Sequence, residues 1–288
     1  MEEKALRLSA VFLMILTAVS FVLLPKLPAL HTWEVEAREE RIAEEEFAQS
    51  QVTMQNLKIK EQNEAAGAKG ELSIRLPEGV TGDQIAVSSD YVTQTIRVEI
   101  PQADRTYFDS YPVLGNSDYI DGLSYTRQGE TGVIEVTTNR VYELQTEYDT
   151  QNFYFNFLTP HEVYDKVVVI DAGHGGRAVG ANKQGINEKD IDLAIVLKLK
   201  EIFDNSDQNI GVYYTRTDDS NPTFDQRVQL ANKSDADLFI SIHNNSTRSG
   251  RMSGTSGTQV MYDETSEASR QFAQICLCLL YTSDAADE

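Results

Sequence analysis

Two histidines and one glutamate stand where a hydrolytic metal ion would need them. His174 lies in Asp171-Ala172-Gly173-His174-Gly175-Gly176, just past the apolar run 167–170, and His243 follows the run 238–242. Glu188 opens a helical stretch between them. Two imidazoles and a carboxylate are a ligand set for catalytic zinc, with the fourth position left to water. Such an ion lowers the pKa of its water and polarises a carbonyl. The glycines beside His174 allow a tight turn and keep the ring accessible. Singly, each residue has an ordinary explanation: a strand-end histidine is usually a hydrogen-bonded surface residue, and an acid at a helix start suits the helix dipole. Their convergence favours a metal site. Of the four histidines, His161 sits in an apparent linker and reads as structural, and His31 has no partner in view.

The elements around these residues predict that convergence. The run 167–171 is continuously apolar up to Asp171, as in a strand buried on both faces. A helix is expected over 188–203, with Ile191, Ala194, Ile195 and Ile202 on one side and Asn187 as N-cap. A strand at 212–214, a helix over 224–233 and a strand at 238–242 follow. The order βαβαβ implies a mostly parallel sheet with covering helices, whose ligands bind beyond the carboxyl ends of the strands. Asp171 is expected to orient the loop or a ligand from behind. Gly173, Gly175 and Ala178 formally fit the dinucleotide fingerprint, but no helix opens within the motif, because Gly180, Asn182 and Gly185 continue the loop.

Ahead of this segment, residues 71–162 alternate apolar and polar positions in short runs, including Leu72/Ile74/Leu76, Ile96/Val98/Ile100 and Phe153/Phe155/Phe157. That pattern reads as a small β-sandwich-like module. Tyr91, Tyr107, Tyr111, Tyr119 and Tyr125 could stack on sugars, but half-buried strand positions are the commoner role. Residues 31–70 read as a charged, solvated helical stalk and linker. Residues 1–30 carry Lys4 and Arg7 and then the uncharged run 8–24, which is read as an uncleaved signal anchor, with a cleaved signal peptide as the alternative. This places the chain at the cell membrane as a single-pass protein, with the remainder extracytoplasmic in the cell envelope. The formal net charge of −20 disfavours a nucleic-acid partner. Cys276 and Cys278 are too close in sequence for an ordinary structural disulfide.

The stretches 168–176, Asn187-Glu188-Lys189-Asp190 with Leu193-Ala194, Thr215-Arg216, Arg227 with Ala231-Asn232, and 236–245 together resemble the zinc-dependent N-acetylmuramoyl-L-alanine amidases of the type 3 class. The resemblance covers roughly 165 to 275 and implies an α/β domain over 163–275. By it, His174, Glu188 and His243 are zinc ligands, peptidoglycan is the substrate, and the bond cleaved joins N-acetylmuramic acid to L-alanine of the stem peptide. Arg216, Arg227 and Asn232 match the pattern and read as structural. The β module looks like the wall-targeting modules such amidases carry. The family also supplies a catalytic glutamate on a late strand. Here residues 276–288 fit no expected element and read as a non-native tail, so the chain is expected to be an inactive fragment whose general base is unknown. A non-catalytic wall-binding or regulatory protein with a degenerate amidase fold is the alternative, and a zinc peptidase acting on another amide is a third reading.

Overall fold

A computed structural model describes residues 35, 37–46, 55–61, 69–244 and 257–284. It forms two compact units, 1–244 and 245–288. In the first, a helix over 37–46 (α1) is followed by short strands β1 (Gln55–Asn56) and β2 (Lys60–Glu61) and then by the β module. That module contains β3 (Leu72–Arg75), β4 (Ala86–Asp90), β5 (Thr95–Pro101), helix α2 (Arg105–Ser110), β6 (Leu114–Gly115), β7 (Ile120–Gln128), β8 (Thr131–Thr138), β9 (Glu143–Tyr148) and β10 (Asn152–Leu158). Two five-stranded sheets result, ordered β1-β7-β8-β5-β4 and β2-β6-β3-β10-β9. β5 and β10 each alternate buried and part-buried residues along their whole length. Their inward residues, Ile96, Val98 and Ile100 from one sheet and Phe153, Phe155 and Phe157 from the other, meet in a single core. This is the face-to-face packing of a sandwich. Its outer strands β1 and β2 come from before residue 71.

Most of the singled-out tyrosines are structural. Tyr125 is buried, Tyr107 donates to the Arg75 carbonyl, and Tyr119 packs on Tyr142 and Phe157. Tyr91 leans edge-on against Tyr213, which belongs to the next segment.

That segment begins with a short helix α3 (Pro160–Val163), where His161 Nε2 lies 2.9 Å from the Asp235 carbonyl oxygen. Then come β11 (Lys166–Ala172), a hairpin of β12 (Asn182–Lys183) and β13 (Ile186–Asn187), α4 (Glu188–Asp204), β14 (Ile210–Tyr214), α5 (Phe224–Lys233) and β15 (Leu238–Ile242). The sheet order is β14-β11-β15, parallel throughout. Val141 of the β module packs with Val167, Val169, Tyr213 and Leu230. The hydroxyls of Tyr91 and Tyr213 both donate to the Glu143 carboxylate. Burial, with Glu143's charge and hydrogen bonds added, pushes both phenols well above their usual value.

α4 departs from the expected facing. Ile191, Ile195 and Ile202 are exposed, and the buried stripe is Glu188, Asp192 and Val196, continued by Leu199 and Phe203 against the sheet. The first turns of the helix give their inner face to two acids. The spacing of its isoleucines therefore does not mark the packed side. Asn187 takes the N-cap position without a side-chain capping bond; its amide donates to Asp190 instead.

α1 is not a solvated stalk. Ala43 is buried, Ile42 is half-buried, and Glu39, Glu40 and Glu46 face protein. That is an i, i+3, i+4, i+7 stripe.

No described helix is long and apolar enough to cross a membrane. α4, for example, carries Lys198, Lys200 and Glu201 within one turn. The single-pass placement at a cell membrane is corrected on that finding. The run 8–24 that prompted it, and His31, lie outside the described residues.

The second unit contains helix α6 (Glu267–Asp284), so Cys276 and Cys278 lie within a continuous helix.

Candidate metal centre

The C-terminal edge of the parallel sheet is held by a buried ionic knot. Asp171, near the end of β11, accepts from Thr215 Oγ1 just past β14 (2.6 Å) and from Ser241 Oγ in β15 (2.5 Å). Arg227 of α5 donates to the same carboxylate at 2.5 Å. One side chain thus ties all three strands and a helix. Burial works against the Asp171 charge, but Arg227 and the two hydroxyls outweigh it and hold the carboxyl below its usual value.

Arg227 also donates to the carbonyls of Ala172, His174 and Pro222. Arg216 donates to those of Ala172, Gly173, Asp218 and Lys189. Two buried guanidiniums therefore take up the carbonyls of the 172–174 turn, so that the backbone can leave the sheet without stranding buried acceptors. Asp171 touches no histidine directly; it acts on the loop through Arg227. Asn232 is exposed near the end of α5. α5 itself is started by a capping box between Thr223 and Gln226, a signal legible in the sequence.

His174 stands in this turn with φ +58, in the left-handed region, followed by Gly175 and Gly176 at φ +136 and +51. A non-glycine residue held there is uncommon and is sustained only by its surroundings. Here these are the carbonyl bonds to Arg227 and the close approach of Gly175 to Ser220, where a Cβ would meet the carbonyl oxygen at 2.1 Å. Gly173 makes room for the second histidine, since a Cβ there would lie 2.3 Å from the His243 ring.

His174, Glu188 and His243 come together at this edge. Glu188 Oε1 lies 3.1 Å from His174 Nε2 and 3.3 Å from His243 Nδ1, and the two ring nitrogens are 3.2 Å apart. The Asn244 N–H donates to the same Oε1 and the Ala181 N–H to Oε2, so the carboxylate is fixed by backbone on both sides. Burial opposes charge at His174, but hydrogen bonds to Glu188 and Glu39 outweigh it and push the imidazole up to about 9. Burial likewise opposes the Glu188 charge, and bonds to both histidines hold it far below the usual carboxylate range.

Two acids join the cluster that the sequence reading did not name. Asp192 brings a carboxylate within 4.8 Å of the other three ligand atoms. It is buried; Asn244 donates to Oδ1 at 2.7 Å, while Oδ2 has no partner. Burial first, then the charge of Glu188, raises its carboxyl to about 6. Its i+4 spacing from Glu188 was the available signal. Glu39 of α1 contacts His174 Nδ1 at 3.1 Å, and no local pattern announces that contact.

Residues 168–280 match the model of the family described as N-acetylmuramoyl-L-alanine amidase. The match runs into the stretch that sequence alone set apart as a foreign tail. Over 86 residues the chain is 45% identical to the endolysin of Bacillus phage SPP1, covering 30% of this chain and 31% of that protein. Over 78 residues it is 41% identical to the N-acetylmuramoyl-L-alanine amidase CwlM of Bacillus licheniformis, covering 27% and 31% respectively. The catalytic domain of the amidase CwlV from Bacillus (Paenibacillus) polymyxa var. colistinus is 41% identical over 29% of this chain and 47% of that one, with a TM-score of 0.28. The chain thus spans about a third of the length of these curated relatives.

Proposed function

We propose that this chain, which through residues 168–280 belongs to the type 3 N-acetylmuramoyl-L-alanine amidases, is a peptidoglycan hydrolase using zinc held by His174, Glu188 and His243. The observation that carries the metal reading is the triangle of ligand atoms with edges of 3.1, 3.2 and 3.3 Å. Ligands about 2.0–2.1 Å from a tetrahedral zinc are separated by about 3.3–3.4 Å, so the three atoms fit one face of its coordination shell. The charge balance fits as well: Glu188 is held ionised, and a dication can lie between its carboxylate and the two ring nitrogens.

Zinc bound there would supply a water acidic enough to ionise near neutral pH and a Lewis acid for the scissile carbonyl. The remaining work falls to the protein's own side chains. Arg216 and Arg227 hold the turn that aims His174. Asn244 and Ala181 aim Glu188. Asp192 brings a further carboxylate, with a free oxygen, to the cluster. The bond assigned is the amide between N-acetylmuramic acid and the L-alanine of the stem peptide, the chemistry named by the family. The β module would serve as a wall-targeting element.

Digestion of purified sacculi, read by mass spectrometry of released stem peptides, tests the assignment. Release that needs zinc and is abolished by His174→Ala supports it. Cleavage of another amide would replace the amidase with a different zinc hydrolase. Stoichiometric zinc binding with no cleavage of any wall bond, even by a version that carries the family's late strand with its glutamate, would favour a wall-binding protein that keeps the fold.

A further inference from the structure

A metal-ligating histidine is oriented by whatever bonds its second ring nitrogen. His243 presents Nδ1 to the cluster and is 48% exposed. His174 is only 11% exposed and presents Nε2, so its Nδ1 needs a partner within the protein. That partner comes from 135 positions upstream. Glu39 Oε1 and Oε2 lie 3.2 and 3.1 Å from His174 Nδ1.

The contact is built rather than incidental. α1 is fastened to the same turn along its whole inner face. Glu46 accepts from the Arg177 N–H at 3.0 Å and from Arg177 Nε at 3.1 Å, and Glu45 pairs with Arg177 Nη2. Glu40 accepts from the Phe224 N–H at 2.7 Å, at the start of α5. A Cβ on Gly176 would lie 2.6 Å from the Glu46 carboxylate, so the backbone has drawn in close to receive the helix. Ala43 is buried between these anchors.

We infer that Glu39 is a positioning residue for the metal centre: it accepts the Nδ1–H of His174 and thereby fixes the tautomer that turns Nε2 toward the ion. A segment outside the family match therefore completes the site. The inference rests on the metal reading above. It implies that the acidic residues of α1 are selected by position. Glu39 serves a ligand, whereas Glu40, Glu45 and Glu46 serve the docking.

Zinc affinity of the full 288-residue chain, measured by competition with a chromophoric chelator, tests this directly. Wild type should bind one zinc and His174→Ala should lose it; no binding by wild type would sink the metal reading and this inference with it. Given binding, Glu39→Ala should weaken it about 10- to 100-fold. Glu39→Gln, whose amide oxygen still accepts from Nδ1–H, should recover most of that loss. Glu40→Ala, which removes a docking bond but touches no ligand, should stay within about threefold of wild type. Equal losses in Glu39→Ala and Glu40→Ala would make the helix a structural brace and overturn the positioning role. So would a Gln variant as weak as Ala. Unchanged or tighter binding in Glu39→Ala, with faster wall cleavage, would make the helix a cover over the site instead and would also overturn it.

Discussion

Replacing Asp171 by alanine should be the most costly single change at the metal-bearing edge. The carboxylate is buried and accepts from Thr215, Ser241 and Arg227 at 2.5 to 2.6 Å. Its loss leaves the Arg227 guanidinium buried without its counter-charge. Breaking a buried pair this way costs about 3–5 kcal/mol. The lower half of that range is expected, because Arg227 keeps the carbonyls of Ala172, His174 and Pro222. Thr215→Val removes one neutral donor from the same carboxylate and should cost only about 1 kcal/mol. Urea unfolding of chelator-treated protein, followed by circular dichroism, gives both numbers. The pH dependence adds a second check. The folded carboxyl titrates below its unfolded value, so its stabilisation is complete above about pH 4 and is lost as pH falls through the folded pKa. The gap between wild type and Asp171→Ala should therefore narrow in acid. A cost no larger than that of Thr215→Val, or a gap unchanged down to pH 2, would refute the view that this ion pair ties the strand ends.

Asp192 should show the opposite sign. Its folded carboxyl is raised to about 6, above an unfolded value of about 3.9, so the metal-free fold loses stability as pH rises through that interval. Asp192→Asn should therefore stabilise metal-free protein at pH 8 by up to about 3 kcal/mol and leave it unchanged at pH 4; a pH-independent difference in thermal midpoint would contradict the burial argument. Gly173→Ala places a methyl group 2.3 Å from the His243 ring. Displacing one of three ligands by more than about 0.5 Å should weaken zinc binding about 10-fold or more, while Gly122→Ala, with only ordinary contacts, should not; wild-type affinity in Gly173→Ala would count against the placement of His243.

The strands bearing the site were legible because their signal is continuous along the chain. The runs ending at Asp171 and Ile242 read as parallel strands, β11 largely buried and β15 half-exposed at the sheet edge, and parallel strands put their carboxyl ends, and so His174 and His243, on one edge. The facing of α4 was not legible from its isoleucines. Hydrophobic spacing reports the packed side only where packing is all a helix does, and here Glu188 and Asp192 occupy that side for the site. The β12–β13 hairpin was hidden for a different reason. Its turn residues, Gln184 and Gly185, both have positive φ, and glutamine does not advertise that conformation as asparagine would. Glu39 was hidden by distance. Among the glutamates of a strongly acidic stretch, only the fold distinguishes the one that meets a histidine.

His174, Glu188 and His243 are proposed to hold one zinc ion between them. A zinc-soaked crystal of the chain, with anomalous maps recorded on both sides of the zinc edge, tests it most directly. A single strong peak is expected about 2.0–2.2 Å from His174 Nε2, His243 Nδ1 and Glu188 Oε1. A peak bound elsewhere, or density at this edge that omits any of the three side chains, would contradict it.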